Sequence, residues 1–121
     1  MNKRELQDRL KNYALSIIFF TEQLPDVYKY KVVTNQIIRS SSSSAANYRA
    51  ACRARSAADF IAKMGIVEEE LDETLFWLEF IIGISDKWEL HITPLSKEGN
   101  ELLAIIVSSI VTAKKNNSKN K

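Results

Sequence analysis

Sulfur, histidine and turn-forming residues are all scarce in this chain, and each scarcity excludes something. One cysteine, Cys52, permits no internal disulfide, so the fold has to rest on its core, and a reducing, cytoplasmic setting is expected. Cys52 itself reads as a small buried apolar residue. One histidine, His91, placed in a predicted loop, leaves no set with metal-ligand spacing, and no metal or cofactor is expected. Two prolines and three glycines supply few turns, which favours a few long helices over many short strands. No apolar run approaches the ~18 residues of a membrane span. The start, Met1-Asn2-Lys3-Arg4-Glu5, enters a charged amphipathic pattern where a signal sequence would be apolar, so neither export nor a membrane partner is expected.

What is present is charge, sharply sorted. Between Lys29 and Lys63 lie seven bases (Lys29, Lys31, Arg39, Arg49, Arg53, Arg55, Lys63) and one acid, Asp59. Between Met64 and Asp86 lie seven acids and no base, while the net charge is only +2. One basic and one acidic surface follow, suited to a polyanion, to a complementary subunit, or to both.

Apolar residues recur at helical spacing in four segments. Leu6, Leu10, Tyr13, Ile17, Thr21 and Leu24 predict a helix from about Arg4 to Leu24, ended by Pro25. A second runs from about Val27 to Ala51, straight through Ser40-Ser41-Ser42-Ser43-Ser44. Five serines cost roughly 2–3 kcal/mol of helix propensity against alanine, which close approach of a neighbouring helix would offset. Ser56 with Asp59 three residues on predicts the start of a third helix, carrying Met64, Val67, Leu71, Leu75, Leu78 and Ile82 and ending near Gly83. Residues 85–92 form a predicted loop, and Thr93-Pro94 reads as the N-cap and first residue of a fourth helix. The expectation is an all-α, antiparallel up-down four-helix bundle over residues 1–115, with a disordered basic tail over 116–121.

Ile37-Ile38-Arg39, Ala46-Asn47-Tyr48-Arg49-Ala50-Ala51, Arg55-Ser56, Asp59 to Val67 and Glu70 to Phe80 together resemble one family. It is the small bacterial four-helix-bundle family whose founding members are encoded in intervening sequences of large-subunit ribosomal RNA genes. The resemblance runs from about Leu10 to Ile110. It implies a homopentameric ring, and a kinship with the accessory protein of diversity-generating retroelements, which binds nucleic acid and a reverse transcriptase. Many members read Ala-Asn-Ile-Ala-Glu-Gly where this chain has Ala46 to Ala51, so the glutamate of that pattern has no counterpart here.

Arg49, Arg53, Arg55 and Lys63, with Tyr48 to stack on a base, form the candidate nucleic-acid surface, because the guanidinium fork suits phosphate. The competing reading pairs these bases with Glu68 to Glu73 of the same or the next subunit. Structural roles are expected for Arg39 and Glu73, as a buried ion pair, and for Asn47, as a buried anchor bonding backbone across a helix pair. Ile18, Phe19, Phe76, Trp77 and Phe80 exceed what one core needs and are expected at a subunit interface. No nucleophile, metal or cofactor arrangement can be assembled, so an enzyme is not expected. Two functions remain: a nucleic-acid-binding accessory of a ribonucleoprotein, and a ring scaffold that binds protein alone.

Overall fold

The computed structural model describes residues 1–119. Four α-helices carry nearly all of them: α1 (Lys3–Thr21), α2 (Tyr28–Ala51), α3 (Ala57–Ile84) and α4 (Glu89–Lys119), with a 3₁₀ turn at Asp86–Trp88. Each helix packs against its neighbours in chain order, and α1 closes against α4. The result is a square up-down bundle with α1 diagonal to α3.

Local chemistry starts two of these helices. The Asn2 side chain accepts from the Glu5 amide at 2.8 Å, and Ser56 Oγ accepts from the Asp59 amide at 3.0 Å. The Asp59 carboxylate reaches back past the N-cap to accept from the Arg55 amide at 3.4 Å, so the predicted cap of α3 forms with its return bond one residue early. Helix α1 stops at Thr21, short of the predicted Leu24. Pro25 has no N–H to offer the Thr21 carbonyl, and the chain tightens into four-residue turns from Phe20 to Gln23 and from Thr21 to Leu24.

The core follows the apolar stripes: Leu10, Ile17, Val33, Ile37, Met64, Val67, Leu71, Leu78, Ile81, Ile92, Leu102 and Ile106 are almost wholly buried. The serine run lines the buried face of α2, with Ser40 turned to α3. Ser40, Ser41 and Ser44 are fully buried, each hydroxyl donating to a carbonyl one turn back in its own helix. Ser40 Oγ also meets Thr74 Oγ1 across the seam at 2.8 Å. Polar atoms satisfied inside their own helix let small side chains line a buried interface, which offsets their poor propensity.

One expected helix end holds and two are corrected. Helix α3 ends near Gly83, at Ile84, before Ser85 turns extended, although the glycine is not a left-handed terminator, since no glycine has positive φ. The fourth helix begins at Glu89, and Thr93-Pro94 lies inside it, with exposed His91 in its first turn. Burial of Trp88 explains this, because its Nε1–H donates to Tyr30 Oη at 3.1 Å and its ring meets Phe20 edge-on. That anchor forces the chain to turn at residues 86–88 and leaves the helix to start at once. Asn116 to Lys119 are helical, in place of the tail predicted there, and the tail's last two residues, Asn120 and Lys121, lie outside the described ones.

Candidate functional site

Between α1 and α2 runs an open groove of about 440 Å³. Its floor is Ala45 and Ala46, and its walls carry Arg4 and Lys11 from α1 and Arg49 and Arg53 from α2. Seven residues separate Arg4 from Lys11 and four separate Arg49 from Arg53, so each pair repeats along one helix face. Asp8 is the one acid in the lining and bridges Arg4 at 3.4 Å. Lys11, Arg49 and Arg53 enter no ion pair among the described residues. Three unspent cations over an alanine floor make a surface that attracts anions.

Sequence reasoning found half of this groove. Arg49 and Arg53 are where an anion can reach them, and Arg4 and Lys11 join them from α1, outside the basic segment that begins at Lys29. Arg4, Asp8 and Lys11, at spacings of four and three on the polar face of α1, were the signal. Arg55 is exposed at the α2–α3 turn, away from the groove lining. Lys63 is spent on Asp59, one turn before it in α3, at 2.5 Å. That bond, with the Arg55 amide, holds the Asp59 carboxyl below its ordinary 3.8.

Tyr48 is corrected. It is 5% exposed and belongs to the core, so its ring cannot stack on a base. Burial, with the Cys52 thiol beside it, pushes its phenol above the ordinary 10.0. Cys52 is half-buried. Asn47 is half-buried too and bonds within α2 alone, to the Ser43 carbonyl at 2.9 Å and Ser43 Oγ at 3.0 Å, not across a helix pair.

Arg39 does meet Glu73, and also Glu70 at 2.9 Å, but the pair is not buried. The Arg39 side chain is 51% exposed and Glu70 14%, so the network caps the α2–α3 seam from outside. Trp77 Nε1–H donates to the same Glu73 oxygen at 3.3 Å. The hydrogen bond that Arg39 donates to Glu73 raises its already high pKa, so the cation persists at any working pH.

The interface candidates fall in two places. Phe76, Trp77 and Phe80 form one aromatic cluster on α3, with ring centroids 4.9–6.0 Å apart. Phe76 and Phe80 are 50% and 45% exposed, whereas Trp77 is half-buried. Ile18, half-buried, and Phe19, 63% exposed, sit on α1 at the diagonal corner. Phe76 also borders a groove between α3 and α4 whose rim carries Asp72 and Glu79. The molecule therefore turns a basic groove to one side and an acidic, aromatic one to the other.

Among the described residues no three acids, histidines or cysteines gather to hold a metal, and no helix is long and apolar enough to cross a membrane.

Comparison with known proteins fits this architecture. A solved protein of unknown function from Bacteroides thetaiotaomicron, assigned to the S23 ribosomal protein family, superposes with a TM-score of 0.82. The two are 31% identical, over 91% of this chain and 98% of that one. No curated protein matches. The model of the 23S rRNA-intervening sequence proteins matches residues 3–108, from the first turn of α1 deep into α4, and the chain belongs to that family.

Proposed function

We propose that the protein is a non-enzymatic, self-associating helical bundle that binds structured RNA or DNA through the α1/α2 groove, as an accessory of a ribonucleoprotein. The observation that carries this reading is the set of three unpaired cations, Lys11, Arg49 and Arg53, converging with Arg4 on one groove. Guanidinium groups bond two phosphate oxygens at once, and a polyanion releases counterions as these charges replace them. Repetition of the groove around an oligomer would multiply a weak contact into an avid one.

Fluorescence anisotropy with labelled structured RNA and duplex DNA, at low and near-physiological salt, tests it. Binding should weaken steeply with salt. Arg49→Glu with Arg53→Glu should abolish it while helicity and molecular mass stay as they were. Unchanged affinity in that double variant would remove the groove from consideration.

A second reading, a ring scaffold with protein partners alone, is favoured by the exposed rings. Phe19 on α1 and Phe76 and Phe80 on α3 are two unlike patches at opposite corners, as a head-to-tail contact between copies requires. Five copies, and a reverse-transcriptase-like partner, are what kinship implies. Light scattering separates the two: a double variant that falls apart into monomers makes the arginines subunit glue, and an intact oligomer that no longer binds nucleic acid supports the first reading.

A further inference from the structure

We infer that the groove grips the sugar–phosphate backbone of a double-helical segment and does not read its bases, an inference that rests on the phosphate-binding reading above. The groove holds four cations, one acid, a glutamine and two alanines, and no aromatic ring. Tyr48, the aromatic residue nearest in sequence, is turned into the core. Proteins that hold single strands stack successive bases on aromatic rings, and that stacking replaces the base–base stacking the strand gives up. No side chain in this lining offers an aromatic ring for that. A strand whose bases remain stacked and paired gives up nothing, and offers its phosphates in a regular row.

Spacing agrees. Arg4 and Lys11 are seven residues apart on α1, about 10.5 Å along the axis. A duplex presents one phosphate per ~3.4 Å of each strand, so about three phosphates of one strand span that length. Four cations facing three phosphates is close to balance, with the Asp8–Arg4 bridge taking up part of the excess.

The test compares hairpin duplexes rich in A·U and rich in G·C with an unstructured strand of equal phosphate number, by anisotropy over a series of salt concentrations. Expected are affinities for the two hairpins within about twofold, and an unstructured strand at least about fivefold weaker. Lys11→Gln, on the exposed face of α1, should weaken both hairpins equally and shallow the salt slope by about a quarter, one cation of four. An unstructured strand that binds as well as the hairpins, or a tenfold preference between hairpin sequences, overturns the inference and leaves phosphate binding standing. Failure of every probe to bind at low salt overturns both.

Discussion

Alanine at position 99 should weaken the bundle, although alanine is the better helix former. A β-carbon on Gly99 would run into Tyr13 Oη, and would stand 3.1 Å from Tyr13 Cζ and 2.8 Å from Leu75 Cδ2. Tyr13 cannot simply step aside, because it is 3% exposed and its hydroxyl donates to the Leu95 carbonyl at 3.0 Å. Gly99→Ala gains about 1 kcal/mol of propensity. Against it stand about 1–3 kcal/mol of overpacking and about 1 kcal/mol for the displaced hydrogen bond. The balance is a loss near 2 kcal/mol, or a fall in Tm of roughly 8 °C for a chain of this size. Thermal unfolding followed by circular dichroism at one fixed protein concentration reads it, since assembly would couple Tm to concentration. Gly65→Ala, with nothing within 4 Å of its added carbon, is the control and should gain up to about 1 kcal/mol. In a Tyr13→Phe background the Gly99 substitution should cost about 1 kcal/mol less, because the closest obstacle is gone. A Gly99→Ala protein as stable as the parent would show that α1 and α4 are not held this close.

Other substitutions probe the remaining seams. Ser44→Ala should be nearly neutral in urea unfolding, since its hydroxyl bonds only its own helix, whereas Ser44→Leu should cost about 1–3 kcal/mol by overpacking the buried face of α2. Arg39→Ala should cost no more than about 1 kcal/mol and lose its effect in high salt, the half-exposed pair being screened. Asp59 has a depressed carboxyl pKa, so its stabilising bonds are fully present above the ordinary 3.8 and vanish as pH falls through the lower folded value. The stability gap between parent and Asp59→Asn should accordingly close in acid titrations of unfolding. Burial raises the Tyr13 phenol from 10.0, so its share of stability is whole below pH 10.0 and drains away as pH rises towards the folded value. Tyr13→Phe should flatten that alkaline decline.

Periodicity made the core legible, because every buried stripe obeys helical spacing and one cysteine can form no internal disulfide to override it. The Ser56 cap was legible for a similar reason: its bonds span only three residues. Helix ends set by distant partners were not. Thr93-Pro94 carries a strong local start signal, yet Trp88, held by Tyr30 from another helix, starts α4 earlier and leaves Pro94 in its second turn. Tyr48 misled for the opposite reason. Its neighbours Asn47 and Arg49 are polar, but position 48 lies four residues after Ser44 on the buried face. The groove was half legible, since Arg49 and Arg53 announce a basic face while its other wall comes from the start of the preceding helix, α1.

The two sides of the bundle give a molecule of small net charge a transverse electric dipole. Arg4, Lys11, Arg49 and Arg53 lie at its positive pole, and Asp72 and Glu79 lie across the bundle at its negative one. A nearby polyanion exerts a torque before it makes any contact, drawing one groove forward and pushing the other back. Screening over ~10 Å at 0.1 M salt confines that torque to close approach, so it shapes the rate of productive encounter more than the lifetime of the complex. Asp72 and Glu79, far from the cations, thereby act on association kinetics as a rudder does, without touching what the protein holds.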